Sequence, residues 1–136
     1  MSYILTGLDY EAFQRERERD KEALYILKPV AASCGRGIKI ISHSQKVNQK
    51  EGILASKYLD EPHLIKGLKY DLRIYVLVTN FNPLKVYIYD DGLVRFATEK
   101  YTKDVKTLNK KFVHLTNFSI NKRAPNFVKN DDPKKP

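Results

Sequence analysis

The run Lys69-Tyr70-Asp71-Leu72-Arg73-Ile74-Tyr75-Val76-Leu77-Val78-Thr79 constrains this chain more than any other stretch, because it has the period of a half-buried strand yet opens on charged residues. Leu72, Ile74, Val76 and Val78 alternate onto one face, and Asp71, Arg73, Tyr75, Leu77 and Thr79 onto the other. Charges at the start of a core strand cost stability unless they pair or meet a charged ligand. The second strand of the expected hairpin repeats the pattern, with Arg95 inside Leu93-Val94-Arg95-Phe96-Ala97. Two arginines and Lys69 converging on one sheet face predict a site for a polyanion.

The 136 residues, 42% apolar, suffice for one domain with a real core or for one part of a larger domain. The net charge of +9 is uneven: residues 98–136 hold 10 Lys and Arg against 4 Asp and Glu, whereas residues 1–97 hold 15 against 12. The C-terminal third is therefore basic, which suits an acidic partner as well as a merely soluble surface. Cys34 is the single cysteine, so no internal disulfide can form and a reducing compartment is expected. No apolar run approaches the roughly 20 residues that span a bilayer, and Ile4-Leu5 leads at once into polar sequence unlike a signal peptide. The expectation is an intracellular, soluble, monomeric chain.

Along the chain, Asp9 to Ala23 is dense in Glu and Arg, with Asp9 as N-cap and only Leu8, Ala12 and Phe13 as an apolar stripe. An exposed helix is predicted there. Leu24 to Lys28 reads as a strand ended by Pro29, followed by the small-residue stretch Ala31 to Gly37 and a second strand, Ile38 to Ile41. Strand, glycine loop and strand make a hairpin unit, unlike the strand–loop–helix of a dinucleotide fold. Ile53 to Leu59 is a further strand candidate. The long strand from Asp71 to Asn80 turns at Asn82-Pro83 into Lys85 to Asp90, and Asp91-Gly92 predicts a second turn before Leu93. From Asn126 to Pro136 an open polar tail is expected.

Several groups bear on chemistry. Lys28, at a strand end before the glycine loop, suits phosphate as a point charge, or simply extends into solvent. Gly35-Arg36-Gly37, seven residues later, lets backbone N–H groups approach a phosphate, although ordinary hairpins also carry two glycines. The backbone of Ser56, Lys57, Tyr58 and Leu59 suits an adenine edge, and the same residues read equally well as core. Arg73 and Arg95 offer rigid donor forks that brace a developing charge, while an Asp71–Arg73 or Asp71–Arg95 pair would merely stabilise the sheet. His114 is assigned a structural role, and Thr116 and Asn117 are the better nucleotide contacts. No spacing suggests zinc or a Ser–His–Asp arrangement.

Five ordered strings carry a family resemblance: Ile26-Leu27-Lys28-Pro29-Val30-Ala31, Gly35-Arg36-Gly37-Ile38, Lys69 to Thr79, Asp91 to Ala97, and His114-Leu115-Thr116-Asn117-Phe118-Ser119-Ile120-Asn121-Lys122. Together, in this order and spacing, they resemble the tubulin–tyrosine ligase-like family, in its polyglutamylase branch. The resemblance covers about Ile4 to Pro133. It implies a partial α+β, ATP-grasp-like domain over residues 1–136, with a central mixed or antiparallel sheet, a glycine-loop hairpin lobe, and the metal-binding strands missing. It also implies ATP-dependent ligation of free glutamate to glutamate side chains of acidic tubulin tails on microtubules, through an acyl phosphate. On that reading Lys28, Gly35, Arg36, Gly37, Ile38, Lys69, Asp71, Thr116 and Asn117 hold ATP, with Ser56 to Leu59 along the adenine. Asp71, Arg73 and Arg95 are catalytic, and Arg73, Arg95, Lys122 and Arg123 meet the acidic tail. The implied location is the cytoplasm, at the cytoskeleton, cilium or basal body.

Two departures qualify the resemblance. Close relatives often carry a basic residue where this chain has Cys34, and the family's magnesium ligands fall beyond Asp132, so no metal ligand is expected within this chain. Magnesium bridging the phosphates is essential to such phosphoryl transfer, so a fragment inactive on its own is expected. The alternatives are a non-catalytic module that binds acidic tubulin tails, or a basic nucleic-acid-binding domain suggested by the charge and the nine tyrosines. Tyr87 and Tyr89 alternate along one strand with apolar neighbours, which accounts for them without nucleic acid.

Overall fold

The computed structural model describes residues 1–129 as two antiparallel sheets with short helices, an α+β arrangement. The first sheet has strand order β1-β4-β2-β3, from β1 (Ser2–Ile4), β2 (Tyr25–Pro29), β3 (Lys39–Ile41) and β4 (Ile53–Lys57). Helix α1 (Gly7–Arg19) packs on one face. Alternation decides the two sides. Tyr25 and Ile41, paired across β2 and β3, join Tyr3, Leu5, Phe13 and Ala55 in the cluster under α1. Ile26 and Ile40, the next pair, face Leu24, Tyr58, Tyr101 and Leu108 on the opposite side.

The predicted helix is present but shifted, and it is not merely exposed. Thr6 occupies the N-cap position, while the Asp9 carboxylate accepts the Ile4 N–H at 3.2 Å from the first turn. Phe13 is fully buried, its ring edge-on to Tyr25 at 5.1 Å. One turn later Arg17 is also buried, and its Nη2 donates to the carbonyls of Ser42, His43 and Gln45 at 3.2, 2.8 and 2.7 Å. Two residues on one helix face thus anchor an otherwise charged helix. The glycine-loop hairpin is β2–β3, as expected, with β2 running one residue further to pair Pro29 with Ile53.

The second sheet is β5 (Leu64–Ile65), β6 (Leu68–Phe81) and β7 (Leu84–Lys100). The Asn82-Pro83 turn is where it was expected. The Asp91-Gly92 turn is not: β7 runs straight through both residues, with Gly92 opposite Ile74. Tyr89, Asp90 and Asp91 face the single residue Tyr75, so the local signal makes a bulge instead of a turn. A Cβ on Gly92 would lie 2.6 Å from the Arg73 carbonyl oxygen, so the close strand approach requires glycine.

The alternating apolar face is real but not buried. Leu72 and Ile74 are each 58% exposed, and Val76, Ile88 and Val94 are also exposed, because among the described residues no element covers this stretch of the ribbon. Its base is held by α2 (Lys111–His114) and α3 (Phe118–Asn121). Buried Asn121 fastens α3 there: its Oδ1 accepts the Thr98 N–H and hydroxyl at 3.0 Å each, and its Nδ2 donates to Leu115 O at 2.7 Å. Of the expected open tail, Asn126 donates to Thr98 O and Phe127 packs edge-on to Phe118 at 5.8 Å. The remainder, with Asp131 and Asp132, lies outside the described residues. No helix among the described residues is long and apolar enough to cross a membrane.

Candidate functional site

The register of β6 and β7 sets Asp71 opposite Arg95 and Arg73 opposite Leu93, so the three charged residues share one face. Arg95 Nε and Nη2 each lie 2.7 Å from one oxygen of Asp71, a two-pronged ion pair that is about one-third exposed. The Thr116 hydroxyl donates to Asp71 Oδ2 as well. Partial burial pushes the Asp71 carboxyl up, but the bonds from Arg95 and Thr116 and the charges of Arg95 and Arg73 outweigh it, leaving it below the usual carboxylate range. Asp71 is thereby spent on Arg95 and Thr116. Arg73 is exposed and has no ion pair or hydrogen bond among the described residues. Of the two pairs weighed from sequence, Asp71–Arg95 forms and Asp71–Arg73 does not. Thr116, expected as a nucleotide contact, directs its hydroxyl to Asp71 on the same face.

Lys69 opens β6 one strand-face position before Asp71 and is half-buried. Its Nζ donates to the Tyr58 hydroxyl at 2.9 Å and lies 4.4 Å from the centre of the Tyr58 ring. Burial pushes the Lys69 ammonium down to about 8, against the attraction of Asp71 and with the help of Lys28. Lys28 is exposed on β2 and lines a recess of about 270 Å³ with Pro29, Val30, Gly35, Arg36 and Ile38. Lys28 and Gly35 thus border one concave surface, and Lys69, a second and desolvated lysine, lies within reach of the Lys28 charge.

The glycine loop is closed down on α3. Gly35 is buried with φ +76°, and a Cβ there would meet Ile120 Cδ1 at 2.5 Å and Asn117 Oδ1 at 2.9 Å. The Ser119 hydroxyl donates to Cys34 O at 2.9 Å. Gly37, with φ +71°, packs on the Pro29 ring, and Arg36 stays exposed. The structure therefore brings predicted residues Gly35 and Asn117 together from segments far apart in sequence.

Other expected residues fall elsewhere. Ser56 lies inside a central strand, paired with both Ser2 and Ile26, while the Lys57 and Tyr58 N–H groups are bonded to Met1 O and Leu24 O. The Lys57 side chain pairs with Asp20 at 2.8 Å, and the Tyr58 side chain is buried. Ser56 and the Lys57 and Tyr58 N–H groups are therefore engaged within the sheet, because β4 is not an edge strand. Leu59 lies beyond β4 and is 79% exposed. Lys122 and Arg123 are exposed at the end of α3, with Lys122 Nζ over the Phe118 ring at 5.6 Å. Among the described residues no three of His, Cys, Asp and Glu sit together as a metal site.

Sequence reasoning missed the connections, not the residues. His114 is 2% exposed; its Nδ1 lies in hydrogen-bond contact with the Tyr58 hydroxyl, 3.1 Å away, while its Nε2 reaches Thr107 O at 3.1 Å. Burial and the Lys69 charge hold its imidazole below the ordinary histidine value despite the Thr107 bond. Tyr58 and His114 stand 56 positions apart, and no periodicity links them.

The Tubulin-tyrosine ligase family profile matches residues 1–136. The chain is 42% identical over 130 residues to human Tubulin polyglutamylase TTLL5, which covers 96% of this chain and 10% of that protein. It is 41% identical over 131 residues to mouse Tubulin monoglutamylase TTLL4, covering 96% of this chain and 11% of that protein. Zebrafish (Danio rerio) Tubulin polyglutamylase ttll6 is 42% identical over 125 residues, 91% of this chain and 16% of that protein. The chain thus spans 10–16% of the length of these relatives. Matched from end to end by that profile, with its charged strand, glycine loop and Thr116-Asn117 segment gathered on one side of the fold, this chain belongs to the tubulin-tyrosine ligase family.

Proposed function

We propose that this chain forms the phosphate- and carboxylate-bracing part of an ATP-grasp amino-acid ligase that adds glutamate to glutamate side chains of acidic tubulin tails. One observation carries the reading: Asp71 locks Arg95 and leaves Arg73 exposed and unpaired on the same face, with half-buried Lys69 at its start. A sheet stabilised only by ion pairs has no use for an extra cation there, whereas an anionic substrate does. The names of TTLL5, TTLL4 and ttll6 support glutamate addition to tubulin as the reaction.

An oxygen of the acceptor carboxylate would attack the γ-phosphorus of ATP, breaking its bond to ADP, which leaves, and forming an acyl phosphate. The glutamate amine then attacks the acyl carbon, the phosphate departs and the nitrogen loses a proton. Lys28, Arg36 and the Gly35–Gly37 backbone would hold the phosphates, Lys69 would sit beside them, and Leu59 and Asn117 would contact the nucleotide. Arg73 would brace the acceptor carboxylate and the charge that builds on the transferred group, with Arg95 oriented behind it by Asp71. Lys122, Arg123 and the basic C-terminal third would draw in the acidic tail.

The test is to incubate the intact protein with a tubulin-tail peptide, ATP and isotope-labelled glutamate, and to follow peptide mass. Stepwise, ATP-dependent glutamate addition is expected. Peptide binding without any mass increment would replace the ligase with a tail-binding module, and addition of a different amino acid would revise the donor.

A further inference from the structure

Lys69 is wrapped by aromatic groups that are themselves linked by hydrogen bonds. An ammonium only donates, so the Tyr58 oxygen must accept from Lys69 Nζ at 2.9 Å. The Tyr58 O–H has His114 Nδ1, 3.1 Å away, and the Tyr101 oxygen as partners; directed at Nδ1, it meets an unprotonated nitrogen. The remaining His114 proton therefore sits on Nε2, which donates to Thr107 O at 3.1 Å. The Tyr101 ring closes the other side, 5.8 Å from Lys69 Nζ and 5.5 Å from the His114 ring, and its hydroxyl is tied to Asp60 O at 2.8 Å. Tyr58 and His114 are 5% and 2% exposed, so neither reaches a ligand directly. A buried chain of this kind is costly unless every member is satisfied, and here every link has a donor and an acceptor.

We propose that Tyr58 and His114 are positioning residues for Lys69: the neutral His114 ring fixes the Tyr58 hydroxyl, whose oxygen holds the Lys69 ammonium charged and aimed beside the phosphate-binding recess. The inference rests on the ligase reading for the purpose of Lys69, but the coupling of the three residues stands on geometry alone. The groups that face Lys69 are Tyr58, Tyr101 and His114 around its head, with Asp71 favouring its charge and Lys28 opposing it. In this balance the Tyr58 oxygen is the neutral acceptor that offsets desolvation. Without it, the lysine gives up its proton at lower pH, and an uncharged lysine no longer holds phosphate. Protonation of His114 would place a second cation against the same oxygen, which is why a buried, neutral imidazole serves here.

The test has two independent readouts on the intact protein. Competitive acetylation of Lys69 across pH, read by mass spectrometry, is expected to show a midpoint near 8 for the unaltered protein, in line with its burial. Tyr58→Phe, which keeps the ring and removes the hydroxyl, is expected to lower that midpoint. The same variant should raise KM for ATP by about tenfold at neutral pH, with kcat changed much less, and move the alkaline limb of kcat/KM down in parallel. His114→Leu should follow Tyr58→Phe, and His114→Asn, which keeps an acceptor near the Nδ1 position, should restore the original profile. A Tyr58→Phe protein that melts normally but leaves the Lys69 midpoint unchanged overturns the proposal. So does a shifted midpoint with an unchanged ATP profile. Absence of ATP-dependent turnover in the unaltered protein would instead remove the ligase reading, while the acetylation midpoint still decides whether Tyr58 governs Lys69.

Discussion

Asp71 and Arg95 meet across the β6–β7 ribbon through two parallel bonds of 2.7 Å, and this pair separates the two arginines of the site into different roles. Arg95 is held, while Arg73, on the same face, keeps its donors unpaired among the described residues. The consequences for stability and for activity should therefore diverge.

Arg73→Ala is expected to lower glutamate transfer by about a hundredfold or more, since it removes a donor aimed at developing charge. Its folding stability should stay within about 0.5 kcal/mol of the parent, because an exposed side chain without partners is lost. Labelled-glutamate incorporation alongside thermal melting checks both halves. Unchanged transfer would reduce Arg73 to a surface residue.

Arg95→Ala leaves a partly buried carboxylate without its main partner and should cost about 1–3 kcal/mol of stability, measured by urea unfolding. Thr116→Val removes the weaker bond and should cost about 1 kcal/mol. A double-mutant cycle between Asp71 and Arg95 should show strong coupling.

The pH dependence follows from the depressed Asp71 carboxyl. A folded value below the unfolded one, near 3.9, means stability that is present above about pH 4 and lost as pH falls through the folded value. Asp71→Asn should flatten this acid limb in unfolding midpoints taken across pH. An acid limb identical in both proteins would assign it to other carboxylates.

Gly92→Ala places a Cβ 2.6 Å from the Arg73 carbonyl oxygen and should destabilise the ribbon by about 1–3 kcal/mol. Because it spreads the strands beside Arg73, transfer should fall as well, by more than the fraction unfolded explains. Hydrogen exchange at residues 73–75 and 91–93 would locate the disturbance.

Gly35→Ala should open the glycine loop. It forces a side chain into the left-handed region at φ +76° and against Ile120 and Asn117, a cost of about 1–2 kcal/mol. Faster amide exchange from Arg36 to Ile38 and a higher KM for ATP are expected. If exchange stays slow, closure of the loop on α3 does not depend on Gly35.

Local chemistry made the outline readable. Period-two alternation marked β6, the glycine and proline punctuation marked the β2–β3 hairpin and the Asn82-Pro83 turn, and the unusual charges on an apolar strand marked the site. Where the reading went astray, a partner distant in the chain had overridden the local signal. Asp91-Gly92 has turn composition, yet pairing with β6 continues past it. The charged helix α1 looks exposed until Phe13 meets Tyr25 and Arg17 meets three carbonyls of the loop after β3.

By itself, then, the sequence determined the kind of protein: which strands form, which glycines bend the chain, and which cations are available for an anion. Only the tertiary structure decided how those cations are used. Hydrogen bonds and ion pairs depend on separations of about 3 Å between groups tens of residues apart, and no local pattern encodes them. Register across β6 and β7 gave Asp71 to Arg95 and left Arg73 unpaired, and the packing of α2 beneath the ribbon set His114 and Tyr58 around Lys69.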